Sequence, residues 1–201
     1  MSSNLEEAYF KNLRASIEHF AKLNEQEWAF IKSHYKLAHF KKGECLISPG
    51  DRADVIFFVA KGLLKRYFIC HDGKQFISSL DEENRVVSDF TSLIEEVPSK
   101  IYIEAIEDTD VLVSKYGISK SLFENSNIWQ EIGRKITESR YIEKSKREYE
   151  LLHYDTLDRF NHFRDQNPSL YKRLTKRDLA RYLGVTPESL SRLLRNQDSK
   201  K

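Results

Sequence analysis

The sequence predicts an α+β protein: a compact antiparallel β domain flanked by helices, one long helix, and a C-terminal helical domain. Three observations carry this. After Lys42, short runs rich in β-branched and aromatic residues are punctuated by Gly43, Gly50, Gly62 and Gly73. From about Ser126 to Leu152 the pattern turns helical. The stretch "LTKRDLARYLGVTPESLSRLLRN", Leu174 to Asn196, holds two short helical patterns separated by Gly184-Val185-Thr186. With 201 residues and 40% hydrophobic content, the chain can fill one large core or two small ones.

Residues 5–20 and 25–33 read as helices. The second opens on Asn24 with Glu27 three residues on, the spacing at which a cap and a returning carboxylate satisfy free backbone N–H groups. The runs "ECLI", "VIFFVA", "LLKRYFI", "QFISSL", "YIEAI" and "VLVSKY" read as strands. Asp72-Gly73, between "RYFIC" and "KQFIS", predicts a type I′ hairpin turn, whose central residues both need positive φ.

In the long helical stretch, Ile128, Trp129, Ile132 and Ile136 share one side and need a partner surface. The steps 129, 132, 136 fit a coiled-coil seam, but Ser139, Glu143 and Lys146 continue it poorly, so self-pairing and packing on the β domain both stay open. Leu151-Leu152 through Thr156 reads as a hinge. Leu157, Phe160 and Phe163 mark a further amphipathic helix that stops before Pro168, whose ring and missing N–H do not continue a helix.

The last two patterns form a helical pair. Thr175 with Asp178 has capping-box spacing, and Leu179, Ala180 and Leu183 line one face of a helix that Gly184 can close in a left-handed conformation. Thr186 can cap the next helix, and Pro187 suits its first position. Leu190, Leu193 and Leu194 form that helix's apolar stripe, and small Ala180 allows close approach. At about 100° per residue, Glu188, Arg192 and Arg195 fall opposite the stripe, with Ser189 and Ser191 on its flanks.

Those side-chain types suit a helix lying in the major groove of DNA. Arg can donate two hydrogen bonds to guanine O6 and N7, Glu can accept from cytosine N4, and Ser can reach base or phosphate. Glu188, Ser189, Ser191 and Arg192 are the candidate base-reading residues. Lys172, Thr175, Lys176, Arg177 and Arg195 are candidates for holding phosphates, and Arg181 lies beside them. The competing structural reading is a plain helical hairpin in which Glu188 and Arg192 form a surface ion pair.

Charge agrees with a polyanionic partner. The chain carries a net +2, but residues 168–201 hold nine Lys or Arg against three acids, a net +6, leaving −4 elsewhere. The start "MSSNLEEAYFKN" lacks the basic-then-apolar pattern of a secretory signal, and no run approaches the ~18 apolar residues of a membrane span. A cytoplasmic protein with no membrane partner is expected. Cys45 and Cys70 stand alone, which predicts two buried thiols and no disulfide, metal or iron–sulfur site. The six histidines, at 19, 34, 39, 71, 153 and 162, form no HExxH spacing and read as surface or core-edge residues. With no GxGxxG, GxxxxGK[ST] or GxSxG, and with Asp81-Glu82-Glu83 reading as a solvated acidic turn, no enzyme is expected.

Across nearly its whole length the chain resembles the Crp/Fnr-type bacterial transcription regulators. "FKKGECLISPGDRADVIFFVAKGLLKRY" is similar to the opening of that family's cyclic-nucleotide-binding β-roll, a jelly-roll. Residues 126–152 resemble its dimer helix, and "LTKRDLARYLGVTPESLSRLLR" its helix-turn-helix. "PESLSR" is especially similar to the anaerobic-regulator branch, which implies that Glu188, Ser191 and Arg192 read an operator half-site resembling TTGAT. The resemblance implies a sensor domain over 1–125, a connecting helix over 126–153 and a DNA-binding domain over 154–201. It further implies a homodimer on an inverted repeat of double-stranded DNA, with RNA polymerase as a further partner.

The chain departs from the family at several places. Where nucleotide-binding members carry Gly-Glu for the ribose and Arg-Ser or Arg-Thr for the cyclic phosphate, this chain has Ser88-Asp89 and Ser99-Lys100. A buried phosphate favours a bidentate cation, and Lys100 is one residue out of register. Cyclic AMP or cyclic GMP bound in the usual mode is therefore not expected, and the effector is unknown. The N-terminal cysteine cluster of oxygen-sensing relatives is missing, so no iron–sulfur cluster is expected as a cofactor; no haem is expected either. No β wing is expected beyond the last helix, and Pro187 stands where more elaborate readers place arginine. The alternative function is an interaction or scaffold protein that does not bind DNA and retains a degenerate nucleotide-binding domain.

Overall fold

The computed structural model describes residues 2–198. Helices α1 (Ser2–Glu18) and α2 (Glu25–His34) precede β1 (Lys36–Phe40), β2 (Cys45–Ile47), β3 (Val55–Lys61), β4 (Leu64–Ile69), β5 (Gln75–Asp81) and β6 (Val86–Val87). Helix α3 (Phe90–Glu95), strands β7 (Tyr102–Ala105) and β8 (Thr109–Lys115) and helix α4 (Tyr116–Asn125) follow. Helices α5 (Asn127–His153), α6 (Thr156–Gln166), α7 (Pro168–Arg173), α8 (Lys176–Leu183) and α9 (Pro187–Asp198) complete the described chain. Two four-stranded sheets, β1-β8-β3-β6 and β2-β7-β4-β5, form the β-roll.

The chain divides into two compact units: residues 1–66 with 80–139, and residues 67–79 with 140–201. In the first, β3 is buried on both faces, which is why "VIFFVA" shows no polar alternation. Its Phe57 and Val59 meet Ile47, Leu64, Val87, Ile103 and Val111 in the core of the β-roll. Its Phe58 and Ala60 face the other way, into a cluster with Tyr9, Phe10, Leu13 and Ile17 of α1 and with Trp129 and Ile132 of α5. The Tyr9 hydroxyl donates to Asp110 at 2.6 Å, and His39 Nδ1 lies 2.6 Å from the same carboxylate. Burial pushes the Asp110 carboxyl up, but the bonds from Tyr9 and His39 outweigh it and hold the group below its ordinary range.

Several local expectations hold. Asn24 and Glu27 form the reciprocal capping box. Strands occupy all six predicted runs, although the strand expected in "VLVSKY" ends at Lys115 and Tyr116 opens α4.

Others are corrected. The turn at Asp72-Gly73 is not type I′, because Gly73 has φ +80° while Asp72 is not among the residues with positive φ. The Gly73 amide donates to the Cys70 carbonyl at 2.9 Å and the Cys70 amide to the Lys74 carbonyl at 2.8 Å. This is a three-residue loop in which only the glycine needs the left-handed region. Cys45 is exposed and Cys70 half-buried rather than fully buried, and neither is joined in a disulfide. Leu151 and Leu152 remain helical, because α5 runs to His153 and the break falls at Tyr154-Asp155. There the Asp155 side chain caps α6 by accepting from the Asp158 amide at 2.9 Å.

The stripe of 129, 132 and 136 is packing surface, not an open seam. Trp129 and Ile132 are 6% and 1% exposed, and Ile136 packs on the same cluster.

Candidate nucleic-acid interface

The second unit is built around α6–α9. Phe160 and Phe163 of α6, Leu170 of α7, Leu179, Ala180 and Leu183 of α8 and Leu190 of α9 are buried. The Phe160 ring stands edge-on to Tyr171 at 5.9 Å, and Phe163 packs on Tyr182 at 5.0 Å. Pro168 opens α7 at the position where no backbone donor is needed.

Both helices of the pair begin and end as their residues dictate. Thr175 Oγ1 accepts from the Asp178 amide at 3.0 Å and donates to the Asp178 carboxylate at 2.5 Å. The cap is therefore a hydroxyl–carboxylate closure, with Asp178 buried. Gly184 ends α8 at φ +74°, and the Val185 amide donates to the Ala180 carbonyl at 3.0 Å, pairing one of the carbonyls a helix end leaves open. Two residues after Gly184, Thr186 Oγ1 accepts from the Ser189 amide at 3.1 Å and donates to Ser189 Oγ at 3.0 Å, starting α9.

This closure aims α9. Leu190 is 1% exposed, Leu193 and Leu194 are half-buried, and Glu188, Ser189, Arg192 and Arg195 are exposed, with Ser191 half-buried between them. Among the described residues no ion pair joins Glu188 to Arg192, which removes the surface-pair reading of those two side chains. Lys172, Thr175, Lys176 and Arg177 are exposed along α7 and the start of α8, whereas Arg181 is half-buried. Both candidate sets, base-reading and phosphate-holding, thus lie on accessible surface of one unit.

The four positions aligned with nucleotide recognition lie in the first unit and are largely turned inward. Ser88 Oγ donates to the Val55 carbonyl at 2.7 Å. The Asp89 carboxylate, 6% exposed, caps α3 by accepting from the Ser92 amide at 3.3 Å, and accepts from Ser99 Oγ at 2.8 Å. Ser99 is buried and Lys100 exposed, the opposite orientations that alternation along an extended segment gives.

Residues 37–126 match the cyclic nucleotide-binding domain family. Solved structures resemble the chain over most of its length. CLP, a c-di-GMP responsive global regulator from Xanthomonas campestris, is 18% identical with a TM-score of 0.71, covering 88% of this chain and 93% of that one. A Eubacterium rectale protein assigned to the Crp/Fnr family of transcriptional regulators is also 18% identical, with a TM-score of 0.74 over 89% and 85% of the two chains. FixK2 from Bradyrhizobium japonicum is 19% identical, with a TM-score of 0.68 over 83% and 85%. This is the Crp/Fnr-type fold. At these identities the likeness establishes architecture, and function has to be argued from residues.

Within the Crp/Fnr-type fold, the residues at the four aligned positions do not fit a cyclic nucleotide. The buried Asp89 carboxylate is taken up by Ser99 Oγ and the Ser92 amide, and Lys100, beside Ser99, is exposed. The position aligned with the cyclic phosphate thus offers no inward guanidinium to pair with it.

Two functional candidates, Arg147 and Arg159, carry no local sequence signal. Arg147 donates to the Tyr182 carbonyl and Arg159 to the Leu183 carbonyl at 3.2 Å, partners 35 and 24 residues away in the chain.

Proposed function

We propose that the chain is a sequence-specific, DNA-binding transcription regulator acting as a homodimer on an inverted repeat. The observation that carries this is the outward side of α9, where Glu188 and Arg192 are exposed without an ion pair between them while Leu190 anchors the opposite side. Arg192 is placed to take guanine O6 and N7, Glu188 to accept from cytosine N4, and Ser189 and Ser191 to fix the edges of the contact. Lys172, Thr175, Lys176, Arg177 and Arg195 hold the phosphates and set register.

The dimer reading rests on the later part of α5. Tyr141, Ile142, Tyr149 and Leu152 are 52–82% exposed. Ile142, Ser145, Tyr149 and Leu152 follow steps of three, four and three, the spacing of a coiled-coil seam. Self-pairing there would set two copies of α9 about 34 Å apart, one turn of duplex. Among the described residues no helix is long and apolar enough to cross a membrane. RNA polymerase is the expected further partner, and no catalysis is assigned.

Two substitutions separate the proposed roles. Arg192→Ala should cost about 1–3 kcal/mol and relax preference at one base pair, whereas Lys176→Ala should weaken all sequences alike and lower the salt slope by about one. Competition binding against single-base variants of a selected site reads both, and indistinguishable sequence profiles would contradict the assignment. A scaffold protein without DNA affinity would show no steep loss of duplex binding as salt rises.

For the β-roll, calorimetry with cyclic AMP and cyclic GMP is expected to show no binding. Stoichiometric micromolar binding would overturn the reading of Asp89 and Ser99.

A further inference from the structure

The last turn of α8 ends on carbonyls that no later helical amide pairs, and this end carries the negative pole of the helix. In the second unit two arginines converge there. Arg147, on α5, is 12% exposed at its side chain, lays its guanidinium 4.0 Å over the Tyr182 ring, and donates through Nη2 to the Tyr182 carbonyl. Its Nη1 lies 3.6 Å from Glu150 on its own helix. Arg159, on α6, donates through Nε to the Leu183 carbonyl at 3.2 Å. Its Nη1 reaches the Tyr154 carbonyl at 2.5 Å and the Leu151 carbonyl at 3.3 Å, closing over the break between α5 and α6.

We infer that Arg147 and Arg159 are positioning residues for DNA recognition: they lock the C-terminal end of α8, and through the Gly184–Thr186 turn the reading helix α9, at a fixed angle to the later part of α5. This rests on the DNA-binding reading of α9 and on self-pairing through α5. The chemistry suits a lock rather than a loose contact. A guanidinium presents several donors in one rigid plane and can stack on an aromatic ring while bonding a carbonyl, which an ammonium does with less geometric restriction. Burial pushes the Arg147 pKa down and the nearby Arg159 adds to this, while Tyr182 and Glu150 act in the opposite sense; the geometry of the ring stack and carbonyl bond is what fixes this largely enclosed side chain. Arg159 ties three segments at one point: the end of α5, the Tyr154-Asp155 break and the end of α8. A residue clamped this way touches no base, yet it sets where a base-reading side chain arrives. If α5 pairs with a second copy, the clamp fixes the distance between two reading helices, and therefore which half-site spacing is preferred.

The test uses the full chain with Cys45 and Cys70 replaced by serine and spin labels introduced at Lys144 on α5 and Asn196 on α9, diluted with unlabelled protein. Wild type should give a narrow distance distribution, and Arg147→Ala and Arg147→Lys should broaden it while circular dichroism shows both still folded. The lysine variant keeps the charge and guards against simple unfolding. In parallel, binding to a single half-site should change less than about twofold, while discrimination among duplexes differing only in half-site spacing should fall at least about fivefold. An unchanged distance distribution in both folded variants would overturn the clamp, as would unaltered spacing discrimination. Broadening without any specific DNA binding by the wild type would leave the clamp standing and sink the functional reading instead.

Discussion

Phe160→Ala is expected to remove about 3–5 kcal/mol from the stability of the unit that carries α8 and α9, the cost of deleting a fully enclosed aromatic side chain. The ring is 2% exposed, stands edge-on to Tyr171, and has the Arg164 guanidinium 5.5 Å from its centroid. Together with Phe163 on the same helix, it is one of two buried phenylalanines around which α6–α9 close, and it is the more fully enclosed of the two. Urea unfolding followed by helical circular dichroism measures the loss, and DNA affinity should fall with it, because α9 is held only as well as its underlying core. A loss below about 1 kcal/mol would mean that the helices are organised around some other point.

Gly62→Ala should damage the other unit by about 2–5 kcal/mol. Gly62 joins β3 to β4 at φ +104°, where a side chain costs about 1–2 kcal/mol. A Cβ there would also lie 2.4 Å from Thr109 Oγ1 and 2.8 Å from Thr109 Cα. The second atom is backbone of a fully buried residue at the start of β8 and cannot swing aside, so overpacking adds about 1–3 kcal/mol. Gly50→Ala is the matched control: φ is +94°, but nothing lies within 4 Å of its would-be Cβ, so only the backbone cost applies. Urea unfolding monitored by tryptophan fluorescence, with Trp28 and Trp129 both in the cluster beneath β3, compares the two. Equal losses would contradict the close approach at Thr109.

The two substitutions also mark what the sequence made legible. Phe160 and the α8–α9 pair could be read locally, because caps, a left-handed glycine, a first-position proline and two apolar stripes all lie within about twenty residues and agree with one another. The strand β3 was equally plain, because its first six residues, "VIFFVA", are an apolar run between glycine-bearing turns. Features that depend on distant partners were hidden. Strand β1 earns its place by pairing with β8, seventy residues on, and its own "KLAHF" shows no strict alternation. The two-residue strand β6 and the short helices α3 and α7 offer too few residues for a period to emerge. Trp129 and Ile132 showed a stripe without showing what covered it. The stripe packs against α1 and β3, while Ile142, Tyr149 and Leu152 further along α5 are exposed. Within the candidate site the exposed side of α9 followed from periodicity, whereas the clamp by Arg147 and Arg159 did not, since a carbonyl acceptor leaves no trace in side-chain spacing.

The most direct test of DNA reading by α9 is selection of bound duplexes from a random pool by the full chain at low and moderate salt. The account predicts a recovered near-palindrome with two half-sites about one helical turn apart, and loss of one specified base pair in each half-site when Arg192→Ala is used as bait. A pool that returns unenriched at every salt concentration, from protein shown to be folded, would contradict it.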